Sequence, residues 1–575
     1  MRRTVRAAAA TSAGVFDYIV VGAGSAGCVL ANRLSAGGAK SVLLLEAGGS
    51  DWYPWIHVPV GYLYTMNNPR TDWCFKTTVQ PGLNDRAIAY PRGRVVGGCS
   101  SINGMIYMRG QREDYDAWAR GLDEGYGPNP GWSAAELEPF FDAPLEGGGT
   151  GEWSVSEARV KWDVLSTFQR AAAEHGIPAA LGEFRDSNSE ACGHFEVNQR
   201  NGQRLSAWGA FINPIRAARG NLTIVTGAHS RRILFNGEAR EGGAGGSAGD
   251  NALRATGVEF WEKGGAGALK KATLAEGGEL ILACGAIGSP HLLQCSGVGP
   301  AGLLADHGVT RASGGLVLDL PGVGANLHDH LQIRSVYRFK AGSTTTLNDL
   351  YHSWIATVKM GLQYIFTRSG PLSMAPSQLG AFLKSDRDAV ATPDLQYHVQ
   401  PLSLEKFGDP LHTWPALTAA VCNLRPTSRG TVELTSADSR SAPTIDPAYL
   451  TTAEDRDVAA KSLRITRKIV LESTAFQPLE PTEYVPGSHV ETDEELAQAA
   501  GEIASSIFHP VGTCKMGPAE DPGAVVDARL RVHGCRSLRV VDASIMPRIT
   551  SSNTNSPTIA IAEKGAEMIL ADRFS

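Results

Sequence analysis

Basic charge is not in surplus. Lys+Arg 53 against Asp+Glu 59 leaves a formal net charge of -6, whereas a nucleic-acid partner normally requires a basic face that displaces counterions. No nucleic-acid function is expected. Long apolar runs are also missing: a membrane span needs about 20 uninterrupted apolar residues, and the best stretch, Tyr18 to Leu34, is broken by Gly22, Gly24, Gly27, Asn32 and Arg33. No transmembrane segment is expected. The 9 cysteines lie between Cys28 and Cys535 without CxxC pairs or metal-binding His/Cys spacing. This argues against a zinc site or a disulfide framework and points to a soluble protein in a reducing, intracellular compartment. No internal repeat is apparent. With 19% charged and 43% hydrophobic residues over 575 positions, the chain is neither disordered nor collagen-like, and its length predicts about three to five domain equivalents.

Glycine is what the chain has in abundance, 65 residues of 575, about 11% against a usual 7%. Such an excess means loose linkers or tight backbone turns. Ahead of the first patterned segment, Met1 to Gly14 carries Arg2, Arg3 and Arg6, many alanines and no acid. A plastid or other organelle transit remnant and a frayed tail are both open.

Ordered structure is expected from Phe16, because Asp17 to Val21 is a β-branched run of the kind that forms a buried parallel strand. Apolar residues then recur at helical spacing from Ala26 to Leu34, and Ser41 to Leu45 forms a second strand ending at Glu46. This βαβ order places Gly22-Ala-Gly24-Ser25-Ala26-Gly27 at a helix N-terminus, where unpaired N–H groups and the positive dipole end hold a pyrophosphate. Gly22 makes the turn, Gly24 admits the phosphates and Gly27 lets helix and strand pack. Glu46, nineteen residues after Gly27, with Ala47 beside it, is suited to ribose hydroxyls. The ligand implied is FAD or NAD, on a doubly wound α/β domain.

Asn221 to Val225, Ala255 to Phe260 and Glu279 to Ala283 are further strand candidates. Gly237 to Gly249 and Gly264 to Gly267 are expected to be flexible connections without a functional part. From Arg334 to Ala499 the pattern is mixed, with an amphipathic strand at Asp394 to Val399 and a helix from Asp455 to Glu472. The division expected is a tail at 1–14, an FAD-binding domain at 15–330 with insertions at roughly 51–85 and 110–210, a substrate domain at 331–499, and a return to the first domain at 500–575. The fold class is α/β: a discontinuous Rossmann-like domain with a second, α+β domain built on an antiparallel sheet.

Three long signatures then converge. They are Gly93-Arg94-Val-Val-Gly97-Gly98-Cys99-Ser-Ser-Ile102-Asn103-Gly104; Gly285-Ala-Ile-Gly-Ser-Pro-His291-Leu-Leu-Gln-Cys-Ser-Gly297-Val-Gly299; and the C-terminal pair Phe508-His509-Pro-Val-Gly-Thr-Cys514-Lys-Met-Gly517 and Val541-Asp542-Ala543-Ser with Asn553-Thr-Asn555-Ser-Pro557-Thr558. Together they resemble the glucose-methanol-choline oxidoreductases, FAD-dependent alcohol oxidases and dehydrogenases, over nearly the whole chain. The choline-dehydrogenase-like and long-chain alcohol dehydrogenase members are the most similar. The resemblance implies that Arg94, Gly97, Gly98, Asn103 and Gly104 belong to a loop over the isoalloxazine. It places Asp542 and Ala543 at the ribityl and pyrophosphate region, Asn555, Pro557 and Thr558 at the pyrimidine end of the flavin, and Val225 at the adenine. Some members attach FAD through a histidine at the position of Ile102, so noncovalent FAD is expected here.

Oxidising an alcohol to an aldehyde or ketone needs a base for the hydroxyl proton while hydride passes from the same carbon to flavin N5. The resemblance assigns the base to His509 and its partner to Asn553, 44 residues on; an amide can orient the substrate oxygen without competing for its proton. His291 is expected to support packing or a hydrogen-bond network. His328 and His330 flank Asp329 like a metal cluster, but no further ligand stands near in sequence, so a structural role and no metal is expected. Cys99 and Cys514 are taken as small packing residues. The electron acceptor is oxygen or a quinone.

Rival functions remain. A fatty-acid photodecarboxylase of the same fold uses a cysteine and an arginine where this chain has Ser377 and His398. A cyanohydrin lyase would use the same histidine without flavin reduction. A non-catalytic flavoprotein, or a nicotinamide-dependent dehydrogenase on the first βαβ unit alone, completes the set.

Overall fold

The computed structural model describes residues 10–121, 126–145, 152–237, 252–309, 315–405 and 409–572. Residues 1–9 of the N-terminal tail and most of the 237–249 glycine segment lie outside these. Among the described residues the strands form two seven-stranded sheets and several small ribbons.

The first sheet runs in the order Leu222–Thr226, Val42–Glu46, Thr11–Val21, Leu269–Leu282, Arg254–Trp261, His229–Asn236, with Leu538–Val540 beside Leu269–Leu282. Its nucleotide-side strands are parallel, and Val42–Glu46 is buried throughout, as expected for a strand covered on both faces. The helix Ser25–Ser35 packs on it and is itself covered by the last helix, Asn555–Asp572. Residues from both ends of the chain therefore complete one domain.

Order begins earlier than Phe16. The first strand starts at Thr11, because Thr11 to Phe16 find backbone partners on Lys270 to Leu274. The supplier is Leu269–Leu282, a 14-residue strand of which the sequence pattern marks only the apolar end. Thr11 to Gly14 are thus strand rather than tail.

Three expected boundaries also shift. Within 110–210, the helices Arg112–Arg120 and Ala134–Asp142 join the first domain: Trp118, Trp132, Leu137 and Phe141 belong to its core, and the Trp118 and Trp132 indole N–H groups donate to Arg548 O and Ala528 O at 2.9 Å. Only the middle of that insertion, including Asp163–Glu174 and Ala191–His194, packs on the second domain. In 51–85, Ile56 likewise enters the first core while Leu83 packs with Ile333 and Tyr449. At the far end, Ala504–Ser506 still pairs with Leu331–Arg338 of the second sheet, so the chain returns to the first domain after Ser506 rather than at 500.

The second sheet is antiparallel, in the order Thr482–Val485, Leu331–Arg338, Ala416–Asn423, Leu395–Gln400, Leu379–Leu383, Ala191–His194. Along Leu395–Gln400 the residues alternate by the strand period of two. Leu395, Tyr397 and Val399 enter the second domain's core, and Gln396, His398 and Gln400 point the other way. The alternation expected for this strand is there, but its polar face is buried: it roofs the cavity between sheet and nucleotide domain. The predicted 455–472 helix is Ala453–Arg467, continued by a wider turn at Lys468–Glu472. Thr452 accepts Asp455 N–H at its start, and Arg464 and Arg467 lie in its last turn, where cations suit the dipole.

Candidate active site

A cavity of about 720 Å³ runs between the two domains. One end is built on the first βαβ unit. Gly22 has φ +100, and a Cβ there would stand 2.5 Å from Ala283 O; a Cβ on Gly27 would stand 1.8 Å from Gly22 O. Both positions thus demand glycine for backbone packing. Gly24 differs, since a Cβ there would meet nothing nearer than 3.9 Å. It caps the helix without a capping side chain, and the first turn carries no acid, which leaves the N–H groups and positive dipole end to an anion. Glu46 is buried, accepting Ala23 N–H at 2.9 Å on one oxygen and Gly48 N–H at 2.8 Å on the other. Burial pushes its carboxyl up to about 7, against the pull of these two donors and of Arg94. Each oxygen keeps a second lone pair for a hydroxyl.

Further along the wall, Gly98 abuts Gly24, its Cβ position 2.7 Å from Gly24 Cα. Asn103 Oδ1 accepts Met105 N–H at 3.0 Å and Arg204 Nη1 at 2.9 Å. Opposite, Asp542 is buried and accepts Gly285 N–H at 2.8 Å, Ser289 Oγ–H at 2.6 Å and Ser544 N–H at 2.8 Å, which hold the Asp542-Ala543 backbone at the cavity. Ser25 Oγ donates to Asn555 Oδ1 at 2.7 Å, while the buried Asn555 Nδ2 on the same wall has no partner. A buried amide donor left open beside the helix N-terminus suits a phosphate or polyol oxygen, and with the glycine cradle it fits a dinucleotide such as FAD. Arg94 donates to Gly264 O at 2.9 Å and lies over the Trp73 ring. The turn at Gly264 and Gly265, expected to be a passive connection, is therefore part of the wall.

At the other end His509 and Asn553 meet. Asn553 Nδ2 donates to His509 Nε2 at 3.2 Å, and Asn553 Oδ1 accepts Gln396 Nε2 at 3.2 Å. The tautomer of His509 follows from a chain of bonds. Leu424 O can only accept, so His330 Nε2 donates to it, at 3.2 Å. Burial drives the His330 pKa down to about 4, so the ring is neutral and its Nδ1 carries a lone pair. That lone pair accepts His509 Nδ1–H at 3.0 Å. Burial, then His330, His398 and Arg92, hold the His509 pKa well below the usual histidine range. The neutral His509 ring therefore carries its lone pair at Nε2, where it accepts the Asn553 amide N–H.

The loop carrying His509 is fastened from below. Asp329 accepts His509 N–H at 2.7 Å, Ser506 Oγ–H at 2.6 Å and the Tyr449 hydroxyl at 2.5 Å; Arg92 donates to Phe508 O at 2.6 Å. These bonds hold Phe508 at φ +72, a left-handed conformation that costs a non-glycine residue roughly 1–2 kcal/mol. His328 donates from Nδ1 to Asn326 O at 2.7 Å and accepts Ile549 N–H on Nε2 at 2.8 Å. The side chains of the tripeptide that resembles a metal cluster are thus engaged in different directions, Asp329 and His330 on the loop of His509 and His328 on the segment that leads to Asn553.

Of the residues expected at a cofactor, the structure places Gly22, Gly24, Ser25, Ala26, Glu46, Ala47, Arg94, Gly98, Asn103, Gly104, Asp542, Ala543, Asn555 and Thr558 on one wall system with His509 and Asn553. Gly27, Gly97 and Pro557 stand behind it. Val225 is not on the wall: it pairs with Leu45 in the sheet, and the cavity is reached three residues later, at Ala228, His229 and Ser230. Ser377 and His398 both line it. His291, expected to serve packing or a hydrogen-bond network, is buried and faces the cavity with Nε2 unpartnered. His330 and Gln396 were not identifiable in advance. The His-Asp-His string was a visible signal, but the side-chain bonds of His330 run to residues 94 and 179 positions away.

The family pattern of the GMC oxidoreductases matches residues 16–332 with its N-terminal part and 426–562 with its C-terminal part. The chain belongs to the GMC oxidoreductase family. It is 39% identical over 566 residues to an alcohol dehydrogenase [acceptor] of Pseudomonas putida, covering 97% of this chain and 96% of that one. With the mitochondrial choline dehydrogenase of Mus musculus it shares 36% identity, over 98% and 91% of the two chains. Among solved structures, pyridoxine 4-oxidase from Mesorbium loti superposes with a TM-score of 0.79 at 28% identity, over 96% of this chain and 98% of that one. The formate oxidase of Aspergillus oryzae RIB40 does so with a TM-score of 0.83 at 25% identity, over 98% and 100%. This GMC oxidoreductase is accordingly an FAD enzyme of the α/β class, acting on the CH–OH group of small-molecule donors.

Proposed function

We propose that this enzyme oxidises an uncharged alcohol to an aldehyde or ketone with His509 as general base. The observation that carries the proposal is the bond chain from Leu424 O through His330 to His509, which leaves the Nε2 lone pair on the cavity wall. The substrate hydroxyl replaces Asn553 Nδ2 at His509 Nε2, which accepts its proton, and the released N–H of the Asn553 amide, held by Gln396 on its oxygen, orients the same substrate oxygen. Bound FAD supplies a two-electron acceptor for the hydride. The helix N-terminus from Gly24 to Ala26 would hold its pyrophosphate and Glu46 its ribose hydroxyls. The loop from Gly98 to Asn103, with Ala543, Asn555 and Thr558, would hold the flavin half. Ile102 is on the wall, and its alkyl side chain has no atom for a bond to the ring, which supports noncovalent FAD.

The substrate's neutrality rests on the distribution of charge. Among the described residues the only carboxylates on the wall are Glu46 and Asp542, both at the nucleotide end and both engaged by backbone donors. Among the described residues no carboxylate of the wall stands at the His509 end to balance a quaternary ammonium, so the cationic donor named for the choline dehydrogenases is not the one inferred here. Ser377 and His398 occupy the wall without the cysteine and arginine of the photodecarboxylase.

The test is anaerobic mixing of purified holoenzyme with a panel of uncharged alcohols and choline, followed by oxygen or a quinone. Flavin bleaching by uncharged alcohols but not choline is the expected result, and the second step identifies the acceptor. A flavin unreduced by every alcohol would exclude the proposed oxidation, and one reduced best by choline would refute the charge argument. Acid precipitation should release the FAD; flavin retained on the polypeptide would contradict noncovalent binding.

A further inference from the structure

The helix Trp354–Thr367 is inside out for a soluble protein. Met360 and Tyr364 face inward, Met360 packing in the second core and the Tyr364 hydroxyl donating to Gly202 O at 3.0 Å. On the opposite side Trp354, Ile355, Val358, Leu362, Ile365 and Phe366 are 76%, 62%, 54%, 50%, 63% and 80% exposed. At 3.6 residues per turn these six occupy a single arc of about 120°. Isolated exposed apolar residues are ordinary, but a continuous stripe of this kind marks a binding surface.

We infer that this stripe docks on an anionic lipid surface. At about 1.5 Å per residue, 14 residues reach ~21 Å, short of the ~30 Å hydrocarbon core, and no helix among the described residues is long and apolar enough to cross a membrane. The helix therefore lies in the interface, with Trp354 and Phe366 among the side chains that enter it. Charge selects the occupant. The helix Trp354–Thr367 holds no Asp or Glu, and Lys359 is its one charged residue, in a chain of net charge -6. Lys359 is exposed at the edge of the arc. Anionic headgroups complement this lysine, whereas a second copy related by a twofold axis would set the same lysine against its own copy. The chain leaving the helix passes through Pro371–Ser373 to Pro376 and Ser377 on the cavity wall, so docking would bring lipid within ten residues of the site. The inference rests on the helix alone and not on the reaction assigned to His509.

The test is co-sedimentation of the holoenzyme with phosphatidylcholine vesicles, with and without phosphatidylglycerol. Binding to the anionic vesicles is expected. Ile365→Ser with Phe366→Ser should lower partitioning at least about tenfold, with unchanged circular dichroism and unchanged alcohol-dependent dye reduction in solution. Trp354→Ser with Ile355→Ser repeats the test at the other end of the helix. Lys359→Gln should cost about fivefold on anionic vesicles and nothing on phosphatidylcholine alone. Wild-type protein that stays in the supernatant with both vesicle types overturns the inference. So does a dimer that the serine substitutions convert to monomer without any vesicle binding, which would assign the stripe to a second copy.

Discussion

Replacing His330 by leucine tests the arrangement that sets the His509 tautomer. The substitution keeps a buried apolar side chain but removes both ring nitrogens. Leu424 O loses its donor at 3.2 Å and His509 Nδ1–H its acceptor at 3.0 Å. Leaving such a buried group unpaired costs about 1–3 kcal/mol. The loop is still held by Asp329 and Arg92, so the fold and the FAD site should survive. The loss appears in the rate: without its acceptor the proton is no longer confined to Nδ1, and a ring protonated at Nε2 cannot take the hydroxyl proton. Forcing the wrong tautomer on a catalytic histidine costs up to about 10⁴-fold. Leucine only removes the bias, so the same 1–3 kcal/mol gives a loss of about 5- to 150-fold. Stopped-flow flavin reduction under anaerobic conditions should show this fall in the limiting rate, with little change in the alcohol's apparent Kd. His330→Gln, whose amide can accept from one ring and donate to Leu424 O, should recover part of it. A leucine variant within twofold of wild type would refute the reasoning, as would a loss that merely tracks missing FAD.

Acid should destabilise the fold. Burial depresses His330, His398 and His291 to about 4, 3 and 4, below the ~6.5 of an unfolded histidine. Between pH 6.5 and about 4 the unfolded chain binds the extra protons, so stability falls as pH falls, by about 1.4 kcal/mol per pH unit and histidine. Denaturant midpoints that do not drop between pH 6.5 and 5 would contradict this, and His398→Gln should relieve one histidine's share. Since His509 is depressed in the same direction, the acid limb of kcat/KM should lie below pH 6.5. Gly24→Ala and Gly22→Ala should separate cofactor approach from folding: the first has room for its Cβ at 3.9 Å and should lose FAD affinity with apoprotein stability unchanged. The second, with its Cβ 2.5 Å from Ala283 O, should fold poorly; thermal melts and FAD titration distinguish them. Glu46→Gln leaves one oxygen for the Ala23 and Gly48 donors, and FAD titration should show a loss of about 5- to 30-fold.

The nucleotide half was legible because its signals are local. Gly22, Gly24, Gly27 and Glu46 stand within one βαβ unit whose backbone geometry each residue type serves, and the strand at Asn221 to Val225 lies within one residue of its place in the sheet. The catalytic half was legible only in part. His509 and Asn553 lie in long signatures, but His330 becomes a partner of His509 through a contact across 179 positions, and nothing in the local pattern of Asn326 to His330 encodes it. Similarly, Gln396, His398 and Gln400 show the alternation of a half-exposed strand. Whether their polar face meets water or a cavity depends on the other domain covering it. Arg112 to Asp142 failed as substrate domain for the same reason, since helix periodicity says which face is apolar and not which core receives it.

The central claim is that His509 Nε2 takes the alcohol proton. It is tested most directly by anaerobic stopped-flow reduction of FAD-loaded His509→Ala with the best alcohol of the panel. The account predicts normal FAD content and a reduction rate about 10² to 10⁴-fold below wild type. A holoenzyme variant reduced at the wild-type rate would contradict it.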